Sequence, residues 1–382
     1  MQRRALLRIT LATGGSLLLG ACDDMPASAV APWQGPTPSV AGTADVRVSA
    51  LTWAILAPSP HNLQSWRADL RQSDTIELHV DPDRLLPETD PHSRQILIGC
   101  GAFLETLCLA LAQQKVRADV ELFPAGPLMP QELGRRPFAR VRCRPDAAVT
   151  PDPLFAAVPL RRTNRLPYRP QVPAADAMVA LRHAATGVAV AVNTQVEPGA
   201  VAEINRLALQ GYAVEFGVAA TWKESARVMR IGADEVAREP SGLSLLGPRI
   251  WWARQLGWVS HDMLADPQGE APKQALDMMR PLFEGGTPAW LWLHTPGNTA
   301  IEQLASGRAW MRVCLRATQL GLAIHPNSQV LQEFAAMQDL LHRTHQLLGV
   351  SAPGRVQMLA RIGSADAVPP SPRRALAQFL VA

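Results

Sequence analysis

Apolar residues follow the periods of both helices and strands along this chain of 382 residues. Between residues 92 and 114 they cover nearly all sides of a helical wheel, which predicts a long helix at the centre of the protein. Further helices are predicted at 46–57, 174–185, 201–230 and 300–320. Short apolar and alternating runs predict strands at 67–70, 76–80, 116–123, 138–143, 188–192, 289–294 and 356–362. This mixture of elements predicts an α+β fold.

The two parts of the chain look like copies of one unit. Gly101 and Cys108 in the first long apolar helix are repeated at the same spacing by Gly307 and Cys314 in the last long helix. Chance similarity between two apolar helices is the alternative, but the matching positions favour a duplicated domain in a chain of this length. The predicted first half is 44–155 and the predicted second half is 156–382, with a less regular insertion at about 232–286.

The first 43 residues predict an export signal followed by a tether. Arg3 and Arg4 precede a mildly apolar run that is too short to span a membrane. This start resembles a twin-arginine signal, with a general secretory signal as the alternative. Leu-Gly-Ala before Cys22 resembles a lipobox, which implies a lipidated Cys22, and Asp23-Asp24 resembles an inner-membrane retention signal. The resemblance implies a signal at 1–22, a flexible tether at 23–43, and a lipid-anchored protein on the periplasmic face of the inner membrane.

The composition argues against nucleic-acid binding and metal binding. The formal charge is only +4 and the basic residues are spread out, so no nucleic-acid-binding stripe is formed. His342 and His345 share a helix face, but no third ligand stands at a metal-binding spacing. Cys100 and Cys108 are separated by about 12 Å of helix rise, which is too far for a disulfide. Apolar neighbours predict buried free thiols in the chain after Cys22.

Residues 57–66, Ala-Pro-Ser-Pro-His-Asn-Leu-Gln-Ser-Trp, are the first stretch with candidate chemistry. The prolines end the preceding helix and predict a rigid loop. The loop presents Ser59, His61, Asn62 and Gln64, and amide side chains both donate and accept hydrogen bonds. Such a rim suits a flat ligand with alternating donors and acceptors. Our hypothesis is that the loop contacts one side of a flavin.

Arg161, Thr163 and Arg165 form the second candidate motif. Alternate residues of an extended chain face one way, so two guanidinium groups and a hydroxyl would line one side. These groups suit a phosphate, which arginine binds through paired charge-assisted hydrogen bonds. Taken alone, an exposed arginine cluster without a ligand explains the motif better.

Together, the two motifs resemble those of the nitroreductase superfamily of FMN proteins. The loop resembles the signature Pro-Ser-x-x-Asn-x-Gln-Pro-Trp, with Ser65 in place of the last proline, and 161–165 resembles the Arg-Arg-Ser-x-Arg start. Members of that superfamily are usually homodimers with FMN between the subunits. Here each motif occurs once, in a different half. The resemblance therefore implies a nitroreductase-like fold duplicated in one monomeric chain, similar to the single-chain Acg-like proteins, with one composite FMN site and a lid at 232–286. The alternative for residues 232–286 is a segment that packs on the core and has no functional role.

The resemblance also implies roles for individual residues. Arg161 and Thr163 would hold the phosphate, Arg165 would lie near N1 and O2 of the flavin, and the backbone N–H of Ser328 would face N5. The arginines near the C-terminus would complete the phosphate site, with solvated tail charges as the alternative. The implied cofactor-binding residues are Pro58, Ser59, Asn62, Gln64, Arg161, Thr163, Arg165, Pro326, Ser328, Arg373 and Arg374.

The function implied by the resemblance is an exported FMN oxidoreductase that passes electrons to a small oxidised acceptor of the nitro or quinone class. It implies no catalytic side chain, because the chemistry takes place at N5 of the flavin. NAD(P)H is not expected outside the cytoplasm, so the donor could be a membrane quinol or a partner protein. The alternative is a non-catalytic protein that stores FMN under the lid. A module that has lost the flavin is disfavoured because Asn62, Gln64, Arg161 and Arg165 are all present.

Overall fold

The computed structural model describes residues 23–36, 45–127 and 132–381. The predicted signal and Cys22 lie outside these residues. In the described part before residue 156, the helices are α1 (Ala27–Val30), α2 (Val46–Ala54) and α3 (Arg94–Gln113). The strands there are β1 (Trp66–Asp69), β2 (Thr75–Val80), β3 (Val116–Leu122) and β4 (Ala139–Pro145).

The second half adds nine helices and six strands to the described chain. The helices are α4 (Ala175–Arg182), α5 (Pro198–Gly217), α6 (Ala219–Arg227), α7 (Ala233–Arg238), α8 (Pro248–Gln255), α9 (His261–Ala265), α10 (Ala271–Phe283), α11 (Ala300–Gln319) and α12 (Gln338–Leu347). The strands are β5 (Ala191–Gln195), β6 (Met229–Ile231), β7 (Leu243–Leu245), β8 (Ala289–Thr295), β9 (Ala323–Pro326) and β10 (Arg355–Gly363).

The two halves contain antiparallel sheets of the same topology. The strand order is β1-β2-β4-β3 in the first sheet and β5-β8-β10-β9 in the second. In both, a 20-residue helix, α3 or α11, lies between the second and third of these strands along the chain. The predicted α+β fold with an internal duplication is therefore confirmed.

The long helices of the two halves cross at glycine. A Cβ on Gly101 of α3 would stand 2.1 Å from the carbonyl oxygen of Leu304, and a Cβ on Gly307 of α11 would stand 1.9 Å from that of Ile98. Only glycine permits this approach. The two glycines that match by spacing in the sequence thus contact each other, as equivalent residues do near the axis of a two-fold pair.

An ion-pair network lies beside this crossing. Glu105 of α3 is buried and accepts hydrogen bonds from Arg308 Nε at 2.8 Å and Arg312 Nη1 at 2.9 Å, both on α11. Arg312 also pairs with Asp152, through Nη2 at 2.8 Å. Each guanidinium has a carboxylate partner, so these buried charges link the halves without an unpaired ion.

The insertion in the second half is larger than predicted. The whole segment 196–288 separates β5 from β8, whereas their counterparts β1 and β2 are joined by a short turn. It contains helices α5 to α10 and the two-stranded parallel sheet of β6 and β7. The predicted bounds of 232–286 leave out α5 and α6 because their apolar periodicity looks like that of core helices.

The described part of the predicted tether is folded onto the protein, which corrects the prediction for residues 23–36. Trp33 is only 7% exposed and its Nε1 donates to the carbonyl oxygen of Ser371 at 2.7 Å. Gly35 adopts a positive φ of 78° and packs against the ring of Trp53. A proline-rich composition predicts flexibility, but one buried tryptophan and its hydrogen bond hold the segment in place.

The C-terminal tail crosses from the second half to the first. After β10 the chain runs beside the loop 57–66 and pairs with β1, where Ala68 N–H donates to Phe379 O at 2.9 Å and Val381 N–H donates to Ala68 O at 2.9 Å. Phe379 is buried against Trp66. The tail therefore brings residues of the second half to the loop of the first.

Helix α3 is, in the described chain, the one helix long and apolar enough to cross a membrane, but 89% of its most apolar window is buried inside the protein. This agrees with the predicted central helix. The cysteines at 100, 108, 143 and 314 are free thiols. Burial raises the pKa of the Cys108 thiol to about 12, so it is a poor nucleophile at neutral pH.

A buried carboxyl group on α5 gives the fold a pH dependence. Burial raises the pKa of Glu215 to about 7, although Gln332 and Ser225 donate hydrogen bonds to it. The folded state thus favours the protonated acid, and its contribution to stability is lost as pH rises from about 4.5, the unfolded pKa, through about 7. We expect Glu215→Gln to gain about 2–3 kcal/mol relative to the wild type between pH 5 and pH 8, measured by denaturant unfolding.

Glu203→Gln is the matched control for this pH prediction, because Glu203 lies on the same helix and is exposed. Its free energy of unfolding should stay within about 0.5 kcal/mol of the wild type, because its exposed ion pair with Arg206 contributes little. A pH-independent difference for Glu215→Gln would contradict the raised pKa.

Candidate functional site

The loop 57–66 has an unusual backbone. His61, Asn62 and Gln64 have φ values of 46°, 54° and 57°, in the left-handed region that residues with a Cβ seldom adopt. Three such residues within four positions store strain, and strain of this kind persists only where the surroundings enforce it. The Pro60–Asn62 stretch forms a short 3-10 helix in which His61 has non-helical backbone angles.

Hydrogen bonds to Gln64 enforce this backbone. The Gln64 side chain is fully buried, and its Nε2 donates to Pro240 O at 2.9 Å and Asn62 O at 3.2 Å. Its Oε1 accepts from the backbone N–H of Arg374 at 2.9 Å. Ser59 Oγ accepts from the Gln64 N–H at 2.9 Å. Both ends of the Gln64 amide are bonded to protein, which gives this side chain a role in positioning the loop, and its contact with the ligand stays a prediction.

The C-terminal tail binds Asn62 and separates the two predicted tail arginines. Asn62 Nδ2 donates to Pro372 O at 3.1 Å, and its Oδ1 accepts from Arg373 Nη1 at 2.5 Å. Successive residues of an extended tail point to opposite sides. Arg374 accordingly faces Asp81, at 3.9 Å, and stacks on Phe379. Its charge is directed into the first half, away from Arg373, and its role as a phosphate ligand stays a prediction.

Arg161 and Arg373 meet at the end of α2. Arg161 Nη2 donates to Leu56 O at 3.3 Å, and Arg373 Nη2 donates to Leu56 O at 3.3 Å and Ala57 O at 3.2 Å. Carbonyl groups at a helix C-terminus carry partial negative charge and accept such bonds. Thr163 Oγ1 lies 3.5 Å from Arg161 Nη1, so the motif of the second half and the tail arrive at the same place.

These two arginines are buried cations without an anion. Arg161 and Arg373 are each 2% exposed, and neither has a carboxylate within salt-bridge distance among the described residues. The Nε atom of each is buried and unpaired. Buried Arg94 has an acidic partner in Glu333, whereas buried Arg361 is bonded to His325 and to backbone carbonyl groups. A buried charge is costly unless it is paired, so this cluster has the electrostatics of an anion-binding site.

The pKa values of the two arginines reflect this lack of a partner. Burial lowers the pKa of Arg161 to about 10, and the charge of Arg162 adds to the effect. Burial and the neighbouring charges of Arg161 and Arg162 hold the pKa of Arg373 well below its usual range. A bound anion would reverse both effects by stabilising the charged guanidinium groups.

Trp33 closes the arginine cluster on one side. Its ring centroid lies 4.4 Å from the Cζ atom of Arg162, 5.0 Å from that of Arg373 and 5.7 Å from that of Arg161. Stacking on the faces of guanidinium groups leaves their N–H edges available. The sequence alone does not decide whether Trp33 is packed or exposed. The only signal that it offers for this role is a tryptophan in a polar, proline-rich stretch.

Arg165 marks a second part of the site, between the halves. Its side chain is exposed, and desolvation by the surrounding protein lowers its pKa. Burial, together with the charge of Arg165, lowers the pKa of His61 to about 4. The charge of Arg165 also lowers the pKa of the buried His325 of β9. Arg165 therefore interacts electrostatically with residues of both halves.

The second half contributes the segment after β9, which follows His325. Pro326 and Ser328 are half-buried, and Ser328 begins the 3-10 helix Gln329–Leu331. Between them Asn327 is buried, donates from Nδ2 to the Tyr212 hydroxyl at 3.2 Å, and leaves its Oδ1 unpaired. Tyr212 comes from insertion helix α5, whose role here sequence reasoning missed because nothing in its periodicity distinguishes it.

Comparisons with known proteins identify the family of the chain. No family model matches the chain. A Mycobacterium tuberculosis protein (strain H37Rv) that bears the provisional name NAD(P)H nitroreductase is 31% identical over 356 residues, which cover 87% of this chain and 90% of that protein. The chain belongs to the nitroreductase family. The M. tuberculosis protein Acg, with the same provisional name, is 38% identical over 138 residues, 34% of this chain and 38% of Acg.

Solved nitroreductases resemble parts of the chain. A nitroreductase with bound FMN from Desulfitobacterium hafniense is 13% identical with a TM-score of 0.38, covering 60% of this chain and 98% of its own. The FMN-dependent nitroreductase NfnB from Mycobacterium smegmatis, in complex with NADPH, is 19% identical with a TM-score of 0.37, covering 58% of this chain and 94% of its own.

Proposed function

We propose that this nitroreductase-family chain binds one FMN between its halves and passes electrons from it to a small nitro or quinone acceptor. The observation that carries the proposal is the buried, carboxylate-free pair of Arg161 and Arg373. Family membership supplies the cofactor class, and the pair supplies a place for its phosphate. The unpaired Nε atoms and the lowered pKa values fit a dianionic group at this position.

Residues of both halves would hold the remaining parts of FMN. Ser59, Asn62 and the loop backbone would contact the ribityl chain and one edge of the ring, with Pro58 beside them. Arg165 would place a positive charge near the pyrimidine edge, where the reduced ring carries negative charge. Pro326 and Ser328 would lie over the reactive part of the ring. FMN when bound supplies two-electron redox chemistry.

The protein's own contribution is position, charge and exclusion of water. A nitro group takes up two electrons and two protons to give a nitroso group and water, and a quinone takes up the same to give a quinol. The protons can come from solvent, because His61 is neutral at pH 7, with a pKa of about 4, and is not a ready proton donor. The arginine charges favour the reduced, anionic cofactor, which is the form that an oxidised acceptor consumes.

A storage function is the second candidate, favoured by the way the insertion is fastened to the loop. Gln64 Nε2 donates to Pro240 O at 2.9 Å, and Gly242 N–H donates to Asn62 O at 3.1 Å. These bonds hold the insertion against the loop that would face the ligand. A cover that does not open would retain FMN and exclude acceptors.

We further propose that the chain is exported and anchored through a lipid on Cys22, as a monomer, on the periplasmic face of the inner membrane. The support is the sequence of residues 1–24. In that compartment a membrane quinol or a partner protein is the expected donor, since NAD(P)H is absent there.

A redox titration of the purified mature protein tests the function. We expect the protein to show oxidised flavin absorbance that menadiol or dithionite bleaches without oxygen and that menadione or nitrofurazone restores. NADPH added to a parallel sample tests the nicotinamide donor. Bound flavin that dithionite reduces but no acceptor reoxidises would favour storage. A colourless protein that gains no absorbance from added FMN would overturn both candidates.

A further inference from the structure

The described chain begins at a residue that is fixed on the insertion. Asp23 O accepts a hydrogen bond from the N–H of Gly247 at 3.1 Å, and Asp23 Oδ1 accepts from the N–H of Ala233. The charge of Asp23 also raises the pKa of Arg254 on α8, after the larger effect of Asp234. Cys22 immediately precedes Asp23 in the sequence.

The helix beside this anchor point has apolar residues that the protein does not cover. Gly247 immediately precedes α8, and no residue of α8 is buried. Trp252, Leu256 and Trp258, here called the tryptophan face, are 49%, 51% and 49% exposed. Trp252 and Leu256 lie one turn apart on the same side of the helical path.

The opposite side of α8 is hydrogen-bonded to neighbouring parts of the insertion. Arg254 Nη2 donates to Asp234 Oδ2 at 3.0 Å, and its Nη1 donates to Ile231 O at 3.2 Å. Trp258 N–H donates to Ala253 O at 2.7 Å, which folds the turn after α8 back onto the helix. The tryptophan face is therefore held outward by a fixed helix and not by a loose loop.

Tryptophan side chains favour the interfacial region of a membrane. Its ring is apolar and its N–H is polar, so it partitions to the boundary between lipid headgroups and acyl chains. Short helices with exposed tryptophan and leucine beside a lipid anchor bind in the plane of that boundary, and a single acyl signal gains from a second contact.

We propose that the tryptophan face docks on the phospholipid bilayer and fixes the orientation of the protein on the membrane. The proposal rests on lipidation of Cys22, and it adds which surface meets the lipid. Helix α8 is about 12 Å long, so acyl chains on Cys22 would enter the bilayer within one helix length of the tryptophan face. The insertion, and not the sheets, would then lie next to the membrane.

Spin labels on the mature lipoprotein in phosphatidylethanolamine–phosphatidylglycerol vesicles test the orientation. Labels are placed at Trp252→Cys and at Trp258→Cys, with Val179→Cys and Leu347→Cys as exposed controls on other helices. The native thiols after Cys22 are buried or half-buried and should label slowly. We expect the labels at 252 and 258 to collide at least threefold more often with oxygen, which concentrates in lipid, than with a water-soluble nickel chelate.

The controls should show the reverse ratio. Water-exposed labels at both 252 and 258 in vesicles would overturn docking. Spin–spin broadening at 252 in detergent, without vesicles, would overturn it in favour of a second copy of the chain. The mass of the mature chain distinguishes failure of the docking proposal from failure of the lipidation proposal. If the chain is acylated and the labels are exposed to water, only docking is overturned. If Cys22 carries no acyl groups, both proposals are overturned.

Discussion

Replacing Arg161 with glutamine is expected to weaken FMN binding 10- to 100-fold while making the FMN-free protein more stable. A charge-assisted hydrogen bond to a phosphate contributes about 1.5–3 kcal/mol, and every 1.4 kcal/mol is a factor of ten in affinity. In the free protein the same charge is buried and unpaired, with its pKa lowered to about 10. Removing it should raise the free energy of unfolding by about 1–2 kcal/mol at pH 7, after the lost bond to Leu56 is counted.

These opposite signs distinguish an anion site from a purely structural arginine. Fluorescence titration of FMN gives the affinity, and denaturant unfolding of the FMN-free protein gives the stability. Arg169→Gln is the control, because it removes the same charge from an exposed ion pair with Asp366 and should change neither quantity by more than about 0.5 kcal/mol. If Arg161→Gln lowered stability and left the affinity unchanged, Arg161 would be a helix cap and not a phosphate ligand.

The fold was largely predictable because its signals are local and repeated. An apolar run such as 92–114 predicts a central core helix, and the structure has α3 there. Strand β9 was not predicted, because its four residues contain a buried histidine and a proline instead of an alternating apolar pattern. The bounds of the insertion were also wrong, since α5 is apolar on the face that packs against the 3-10 helix Gln329–Leu331 and reads as an ordinary core helix.

The residues of the site were predicted better than their contacts. Motifs identify which side chains are present near the ligand, and Arg161, Thr163, Asn62 and Arg373 do lie together. Motifs do not say whether a side chain faces the ligand or its neighbours. Gln64, for example, accepts a hydrogen bond from the tail, which is more than 300 positions away along the chain. Such long-range partners leave no periodicity in the sequence.

The site depends on how the two halves meet. The loop 57–66 belongs to the first half, Arg165 and Ser328 to the second, and the tail that carries Arg373 runs from one to the other. None of these segments forms the site alone. The distance between the halves is set where α3 and α11 cross. A change at that crossing should therefore alter the candidate site, although the crossing itself is not part of the site.

Gly307→Ala is accordingly expected to destabilise the protein by about 3 kcal/mol or more and to lower its affinity for FMN. In an exposed helix this substitution stabilises by up to about 1 kcal/mol. Here the new methyl group would stand 1.9 Å from the carbonyl oxygen of Ile98 and 2.8 Å from the Cα of Gly101. Both are backbone atoms, which cannot rotate away, so the helices must separate and give up packing along their length.

Gly217→Ala is the matched control, because Gly217 is also helical and its Cβ would meet nothing within 4 Å. Denaturant unfolding should show Gly217→Ala equal to or more stable than the wild type, and Gly307→Ala far less stable. Equal stability of the two variants would mean that the halves are not in the close contact described. A Gly307→Ala protein that loses stability but keeps its FMN affinity would show instead that the composite site tolerates movement between the halves, and the tail, bound to the loop through Asn62, would then be what holds the site together.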